Sequence, residues 1–354
     1  MTEEPARVLL VDDSAFVRRA TERMLGPLPG VTVVGVARDG EEALAQVRAL
    51  RPDLVIMDVE MPGMDGMAAL ESIMRECPTP VLLLSSHTQA GAEITLRALE
   101  AGAVDFMDKG AGTGMDIHAL APLLREKVAA ALRARTAPRA APPHPPRPSP
   151  SSSKAGATAA AARQGRYEVV AIGSSTGGPR ALAELVPALP AGFAAAVVIA
   201  QHMPPGFTET LAERLHRRSP LYVAEARDGD PVVPGTVLIA PGGRQMAVKR
   251  AADGTLSIRL WDDPSSLHKP CVDTLFDSVA RAVGGAAVGV VLTGMGNDGA
   301  EGLARIRAAG GRGLVESART AVIDGMPSAA RGSAERDVDL EEMAGVLASI
   351  VGVG

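Results

Sequence analysis

The first third of the chain alternates short apolar runs with segments of helical spacing. Val8 to Val11 is a continuous apolar run, which is typical of a strand covered on both faces of its sheet. Further strands are predicted at 31–36, 54–57, 81–84 and 104–107, and helices at 14–25, 40–50, 67–75, 94–101 and up to residue 132. The alternation predicts an α/β domain over residues 5–132, a doubly wound parallel sheet that binds ligands at the carboxyl ends of its strands.

A stretch rich in proline, serine and alanine, residues 133–165, separates this domain from the rest. It has too few large apolar residues to offset the entropy of ordering, so a disordered linker is expected; the alternative is a helix over residues 155–162. Beyond it, strands are predicted at 169–173, 195–200, 222–223, 237–240, 256–259 and 288–292, helices at 180–189, 207–217, 272–283 and 299–309, and a hairpin-like insert at 232–259. Residues 166–354 are therefore predicted to form a second doubly wound α/β domain.

Composition removes several classes of function. A net charge of −5 and 2% aromatic residues give neither the basic face nor the stacking platforms of nucleic-acid binders, and no helix-turn-helix pattern supports a transcriptional output domain. No apolar run approaches the roughly 18 to 20 residues of a membrane span, so no membrane insertion is expected. Cys77 and Cys271 fit neither a disulfide framework nor a metal-ligand spacing, and a cytoplasmic location is expected.

Acidic residues follow two strands of the first predicted sheet. Asp12 and Asp13 come directly after the first strand, and Asp58 directly after the third. These strand ends are neighbours at the switch point of a doubly wound sheet, so three carboxylates converge and need a hard cation such as Mg²⁺. Ser85 ends the fourth strand and Lys109 the fifth, where a hydroxyl and a cation can bind phosphoryl oxygens.

Four segments make this region resemble a response-regulator receiver domain, which has a flavodoxin-like fold: residues 11–14, 57–66, 85–86 and 105–109. The resemblance implies that Asp58 is the phosphoacceptor and that a CheA-type histidine kinase is the phosphodonor. It also implies Mg²⁺ held by Asp12, Asp13, Asp58 and the backbone carbonyl of Glu60, with Ser85 and Lys109 as switch residues. Gly110 stands where the family usually has proline, so a looser loop is expected after Lys109.

A glycine-rich turn follows the first strand of the second domain. Residues 173–178 lack the lysine of a phosphate-binding loop, but Gly173-x-Ser175-x-Gly177 fits a strained elbow that exposes a serine. His202 and Asp298 also follow predicted strands. All three are expected to meet at one edge of the sheet, with His202 as the base for Ser175 and Asp298 orienting the imidazole. The order Ser, His, Asp differs from that of α/β-hydrolases, so a different fold is predicted.

Residues 172–178, 201–208, 239–242 and 292–299 are similar to motifs of the chemotaxis methylesterase (CheB) family. The resemblance implies a Rossmann-like catalytic domain that hydrolyses glutamate γ-methyl esters on methyl-accepting chemoreceptors, releases methanol and also deamidates receptor glutamines. It assigns the catalytic positions to Ser175, His202 and Asp298 and the oxyanion donor to Met295, and it implies no cofactor for the esterase. Thr176 either supports the site by hydrogen bonding or caps the following helix.

Several positions depart from that family's usual residues. Gln245 replaces a histidine, Glu316-Ser317-Ala318 replaces a Gln-Asp-Glu run, and Asp324 replaces an aromatic residue. His268 is interpreted as a structural histidine, the alternative being a substrate contact, and Cys271 as a small buried residue. Two hypotheses remain: a receptor methylesterase activated by phosphorylation of Asp58, and a non-catalytic adaptor that has kept the fold and lost turnover.

Overall fold

A computed structural model of the chain describes residues 4–61, 64–86, 88–110, 117–134 and 167–353. These residues form two compact units, each built around its own parallel sheet. Apart from its first two residues, the predicted linker at 133–165 lies outside the described residues, and so do the alternative helix at 155–162 and Pro62 and Gly63 of the first-domain motif. The predicted domain boundaries at 132 and 166 stay predictions.

The first unit is a five-stranded parallel sheet in the order β2-β1-β3-β4-β5. Its strands are β1 (Ala6–Val11), β2 (Val31–Ala37), β3 (Leu54–Asp58), β4 (Val81–Ser85) and β5 (Asp105–Asp108). Its helices are α1 (Ala15–Leu25), α2 (Gly40–Leu50), α3 (Gly66–Glu76), α4 (Gln89–Glu100) and α5 (Ile117–Ala134). The predicted doubly wound fold is confirmed, and every residue of β3 and β4 is buried, as the continuous apolar runs indicated.

Polar side chains at the helix starts set these boundaries. Asp39 and Asp65 each accept a hydrogen bond from an amide of the first turn of α2 or α3, both at 2.8 Å. Helix α4 begins at Gln89, five residues before the predicted start at Ile94. The prediction was wrong there because it followed apolar spacing, whereas the start is fixed by Thr88, which accepts from Gly91 N at 2.9 Å.

The second unit holds a seven-stranded parallel sheet in the order β14-β13-β12-β6-β7-β9-β8 and a separate antiparallel pair, β10-β11. The strands are β6 (Val169–Ser174), β7 (Ala196–Gln201), β8 (Tyr222–Glu225), β9 (Thr236–Ile239), β10 (Gln245–Arg250), β11 (Leu256–Trp261), β12 (Ala287–Val291), β13 (Arg312–Glu316) and β14 (Arg336–Val338). The helices are α6 (Gly178–Ala188), α7 (Phe207–Arg218), α8 (Val272–Val283), α9 (Ala300–Ala308), α10 (Gly325–Ala330) and α11 (Leu340–Val351). The predicted α/β domain with its hairpin insert is confirmed.

The sequence interpretation missed the last quarter of this unit. Strands β13 and β14, which extend the sheet beyond β12, and helices α10 and α11 were not predicted. Both strands are short and carry charged residues at their ends, so neither shows the apolar run that marks β6 or β7. No helix in the described ranges is both long enough and apolar enough to span a membrane.

Candidate active site and receiver acidic site

Three carboxylates converge at the edge of the first sheet. Asp12 follows β1 and Asp58 ends the adjacent strand β3, and oxygen atoms of Asp12, Asp13 and Asp58 all lie within 4.8 Å of one another. Asp12 and Asp58 are buried, whereas Asp13 is exposed. The backbone orients both buried acids: Ser14 N donates to Asp12 Oδ1 at 2.9 Å and Glu60 N donates to Asp58 Oδ1 at 3.2 Å. This all-oxygen set fits a hard divalent cation such as Mg²⁺.

Lys109 supplies the nearest positive charge to this cluster. Its Nζ lies 2.6 Å from Asp58 Oδ2 and 3.4 Å from Asp12 Oδ2. Burial raises the pKa of Asp12 above its usual value; Lys109 acts in the opposite direction, and the charge of Asp58 raises it further. One lysine therefore does not neutralise the pocket, and a divalent cation would relieve the remaining repulsion.

The other predicted receiver residues lie close by and contact different partners. The Ser85 and Thr95 hydroxyls are 2.6 Å apart, and the Glu60 carboxylate accepts from Ser86 Oγ at 2.6 Å. Gly110 has a φ of +96° and donates its amide to Asp108 at 3.0 Å. Proline can adopt neither that φ nor that hydrogen bond, so the backbone at Gly110 differs from that of a chain with proline here. The rest of the loop lies outside the described residues, and the expectation of a looser loop stays a prediction.

Strand register brings the second site together. Strand β6 lies between β12 and β7, and Ser174 pairs with Gln201, so Ser175 and His202 are the next residues at the carboxyl ends of adjacent strands. His202 N donates to Ser174 O at 3.0 Å, which fixes this register. Asp298 approaches from the other side, in the loop that leaves β12. The elbow, the imidazole and the carboxylate thus come from three neighbouring strands of one sheet.

Asp298 is an anion held by donors on all sides. Its Oδ2 lies 2.8 Å from His202 Nε2 and accepts from Val272 N at 2.8 Å, and its Oδ1 accepts from Asp273 N at 2.8 Å. Val272 and Asp273 begin helix α8, whose amino end favours negative charge. Burial alone would raise the pKa of Asp298, but His202 and the two amides outweigh it and hold the pKa well below its usual value.

The ionised state of Asp298 determines the tautomer of His202. A carboxylate can only accept hydrogen bonds, so Nε2 must carry the proton that it shares with Asp298. In neutral His202 the lone pair then resides on Nδ1, the nitrogen able to take a proton from a nucleophile. Asp298 can orient the ring in this way and stabilise the imidazolium once it forms.

Ser175 is positioned through its backbone. Its N–H donates to Thr293 O at 3.0 Å, and a Cβ added to Gly294 would lie 2.8 Å from Ser175 Cβ. The glycine therefore lets the loop after β12 close onto the nucleophile. Between Ser175 Oγ and the His202 ring, both described, there is no hydrogen bond. Such bonds are often long before substrate binds. The structure places His202 and Asp298 in direct contact, and it places Ser175 at the same edge of the sheet without a hydrogen bond to His202.

The Met295 N–H is a candidate oxyanion donor. Ser175 N–H is already used by Thr293, whereas Met295 N has no hydrogen-bond acceptor among the described residues. Gly325 packs so closely that an added Cβ would lie 3.2 Å from Met295 Cα, and this contact supports the loop that follows β12. Thr176 lies in the turn between Ser175 and helix α6. The roles of Met295 and Thr176 stay predictions.

Residues that the sequence interpretation set aside also lie at this site. The His268 ring stacks on His202 with centroids 4.3 Å apart and planes 8° from parallel. Gln245, which is buried, donates to His268 O at 2.7 Å and accepts from Cys271 N at 2.9 Å, so it ties this loop to β10. Cys271 Sγ lies 3.3 Å from Asp298 Oδ1, and burial raises the pKa of its thiol, so it serves as a weak donor. The motif Leu267-His268-Lys269-Pro270 was the available signal, but nothing in the sequence placed it beside His202.

Comparison with known proteins finds relatives of both domains. Residues 170–347 match the family described as CheB methylesterase, and residues 8–119 match the response regulator receiver domain. A protein-glutamate methylesterase/protein-glutamine glutaminase of Symbiobacterium thermophilum is 44% identical over 367 aligned positions, covering 99% of each chain. A second protein of that name from Oleidesulfovibrio alaskensis is 43% identical, covering 98% of this chain and 99% of its own.

Among solved structures, the CheB methylesterase catalytic domain of Thermotoga maritima is 40% identical and covers 51% of this chain and 97% of its own, with a TM-score of 0.49. Both relatives align with nearly the whole of this chain, across the ranges that match the two families. The chain therefore belongs to the CheB methylesterase family and contains a response regulator receiver domain.

Proposed function

We propose that the protein is a phosphorylation-activated protein-glutamate methylesterase that hydrolyses glutamate γ-methyl esters on chemoreceptors for sensory adaptation. The observation that carries the proposal is the 2.8 Å pair between His202 and Asp298 at the strand end beside Ser175. A histidine held by an ionised carboxylate next to a serine on a glycine turn supports acyl transfer.

In the first half of the reaction, Ser175 Oγ attacks the ester carbonyl carbon while His202 Nδ1 takes the hydroxyl proton. Asp298 stabilises the imidazolium, and the Met295 N–H donates to the oxyanion, a contribution of about 3 kcal/mol for one donor. The tetrahedral intermediate then collapses, the carbon–oxygen bond to the methoxy group breaks, and His202 returns the proton so that methanol leaves.

In the second half, His202 removes a proton from water, which attacks the Ser175 acyl ester. Collapse of the second intermediate releases the glutamate carboxyl group and returns the proton to Ser175. A glutamine side chain passes through the same two halves with ammonia as the leaving group, so deamidation needs no further residue. Both proposed activities therefore rest on the same three side chains.

The receiver part of the proposal rests on the acidic cluster. Asp58 would accept a phosphoryl group from a CheA-type histidine kinase, with Asp12, Asp13, Asp58 and the Glu60 carbonyl holding Mg²⁺. When bound, the ion supplies charge neutralisation for phosphoryl transfer. Lys109, already 2.6 Å from Asp58, offers a cation to the phosphoryl oxygens, and Ser85 a hydroxyl. Chemoreceptor substrates and a kinase partner of this kind imply a cytoplasmic location.

The test is methanol release from methylated receptors by wild type, Ser175→Ala and Asp58→Asn, with and without a small-molecule phosphodonor. We expect Ser175→Ala to lower the turnover by about 10⁴- to 10⁶-fold. Asp58→Asn should retain basal turnover and lose the response to the phosphodonor. Ser349→Ala, a matched change of an exposed serine, should leave the basal turnover and the response to the phosphodonor unchanged.

Absence of methanol release from wild type, with and without phosphodonor, would contradict the proposal. It would favour the adaptor hypothesis if Ser175→Ala also rescued signalling in a deletion strain. If wild type and Asp58→Asn had equal turnover in the presence of the phosphodonor, the esterase part of the proposal would stand and the part on regulation by phosphorylation would be contradicted.

A further inference from the structure

Glu316 is a buried acid that the proposed reaction does not use. It ends β13, next to β12, and is fully buried. Its Oε2 accepts from Thr293 N at 2.8 Å, while Oε1 is buried with no hydrogen-bond partner in the described part of the chain. An ionised carboxylate would be left there with one oxygen unsolvated, which is costly in a protein interior.

The surroundings of Glu316 add negative rather than positive charge. Burial raises its pKa to about 7; the Thr293 amide and the Thr320 hydroxyl act in the opposite direction, and the charges of Glu184 and Glu341 raise it further. Within the described ranges no cation forms an ion pair with Glu316, and Arg319, near in sequence, pairs instead with Asp339 and Glu341.

Thr293 connects this buried acid to the nucleophile. Its N–H binds Glu316 and its C=O accepts from Ser175 N at 3.0 Å. The next two residues are Gly294, which packs against Ser175 Cβ, and Met295. The Thr293 hydroxyl accepts from Ile323 N at 2.9 Å, so the segment is held on two sides. A shift of Thr293 would therefore move the serine and the proposed oxyanion donor together.

We propose that Glu316 is a positioning residue that acts as a neutral carboxylic acid: it holds Thr293, and through Thr293 it holds Ser175 and Met295 in the reactive arrangement. This inference rests on the proposed esterase function. Ionisation of Glu316 would place a negative charge behind the loop that must stabilise an oxyanion, so the same residue limits turnover at alkaline pH.

The experiment compares wild type, Glu316→Gln, Glu316→Ala and Glu342→Gln in the full-length protein. kcat/KM for methanol release would be measured from about pH 6 to about pH 9. We expect wild type to lose about 5- to 10-fold toward alkaline pH and Glu316→Gln, a neutral isostere, to match it at about pH 6 and lose less than about 2-fold. Glu316→Ala should be about 10- to 100-fold slower throughout. Glu342→Gln, which removes an exposed charge of the helix that carries Glu341 but does not act on the pKa of Glu316, should follow wild type.

A second measurement does not depend on activity. A neutral acid with a raised pKa stabilises the fold fully below its unfolded pKa, and this stabilisation is lost as pH rises through the folded pKa. Glu316→Gln should therefore melt about 5 °C above wild type at about pH 9 and within about 1 °C of it at about pH 4. The inference would be overturned if the melting temperatures of Glu316→Gln and wild type differed equally at both pH values. It would also be overturned if kcat/KM of Glu316→Gln fell toward alkaline pH as much as that of wild type. Wild type without methanol release at any pH would instead refute the esterase proposal, and the melting comparison would still decide the state of Glu316.

Discussion

The two sites both sit at the carboxyl ends of parallel strands, yet their carboxylates have opposite surroundings. In the first unit Asp12 faces Asp58 and Asp13, and Lys109 is the cation that contacts the carboxylates of Asp12 and Asp58. In the second unit Asp298 faces two helix-terminal amides and an imidazole. The pKa of Asp12 is raised by burial and by Asp58 against the effect of Lys109, whereas that of Asp298 is lowered by its donors despite burial.

This contrast separates what the fold provides from what the side chains provide. A doubly wound sheet brings strand ends together in both units, which accounts for the convergence but not for the charge. An acidic cluster short of donors is suited to bind a cation and accept a phosphoryl group. A single acid saturated with donors is suited to stay ionised and orient a histidine. Each site can be tested by changing its donors.

The largest effect is expected from Asp298→Asn. In asparagine one of the two oxygens becomes an NH₂ group, which in either orientation faces a backbone N–H at the start of α8. At the Oδ2 position it would also donate to His202 and force the proton onto Nδ1, so the ring could not take the serine proton. We expect kcat for methanol release to fall by about 10⁴-fold with the fold retained. Asp277→Asn is the matched control, since Asp277 lies on α8 and pairs with surface arginines. A loss below about 10-fold in Asp298→Asn would argue against the tautomer role.

The next effect tests the close packing of the elbow. An alanine at Gly294 would collide with Met326 Sδ and lie 2.8 Å from Ser175 Cβ, which must displace the serine or the loop. We expect about a 10²- to 10³-fold loss of kcat/KM in Gly294→Ala. Gly345→Ala is the matched control, because its Cβ would meet nothing within 4 Å, and it should leave the rate unchanged. Wild-type kinetics in Gly294→Ala would show that this contact does not position Ser175.

Much of the fold could be predicted because both sheets are built from continuous apolar runs. Strands β1, β3, β4, β6 and β7 follow directly from such runs, and strand ends then indicated where Asp58 and His202 would lie. Strand β13 could not be found in this way, since its apolar part is only Leu314 and Val315. Missing it also hid Glu316, whose burial depends on the sheet extending beyond β12.

The candidate site was predictable as a set of residues but not as a set of contacts. The motifs indicated Ser175, His202 and Asp298, yet no periodicity shows that Asp298 faces the start of α8 or that His268 stacks on His202. Those contacts join segments 25 to 66 residues apart in the chain, and only the tertiary fold brings them together. Charge state follows from such contacts, so it was beyond sequence reasoning as well.

A smaller effect is expected in the receiver from Lys109→Met. Removal of the ammonium group 2.6 Å from Asp58 leaves the carboxylates without their nearest cation. We expect Mg²⁺ to bind about 10-fold more tightly, which calorimetric titration would measure. Lys127→Met removes a similarly half-buried, ion-paired lysine of the same unit and should leave the Mg²⁺ affinity unchanged. Weaker Mg²⁺ binding in Lys109→Met would mean that the lysine organises the carboxylates rather than competing with the ion.

The smallest effect concerns the thiol beside Asp298. Because burial raises the pKa of Cys271, the thiol stays protonated at neutral pH and can donate to Asp298 Oδ1, 3.3 Å away. The same oxygen accepts from Asp273 N at 2.8 Å, so the thiol is one donor among several. Cys271→Ser keeps a donor and should change kcat/KM by less than about 3-fold. Cys271→Asp would instead place a second carboxylate beside Asp298, as in the receiver cluster, and should slow methanol release by at least about 10-fold. Equal rates for the two variants would mean that donors already present, and not the absence of a neighbouring acid, keep Asp298 ionised.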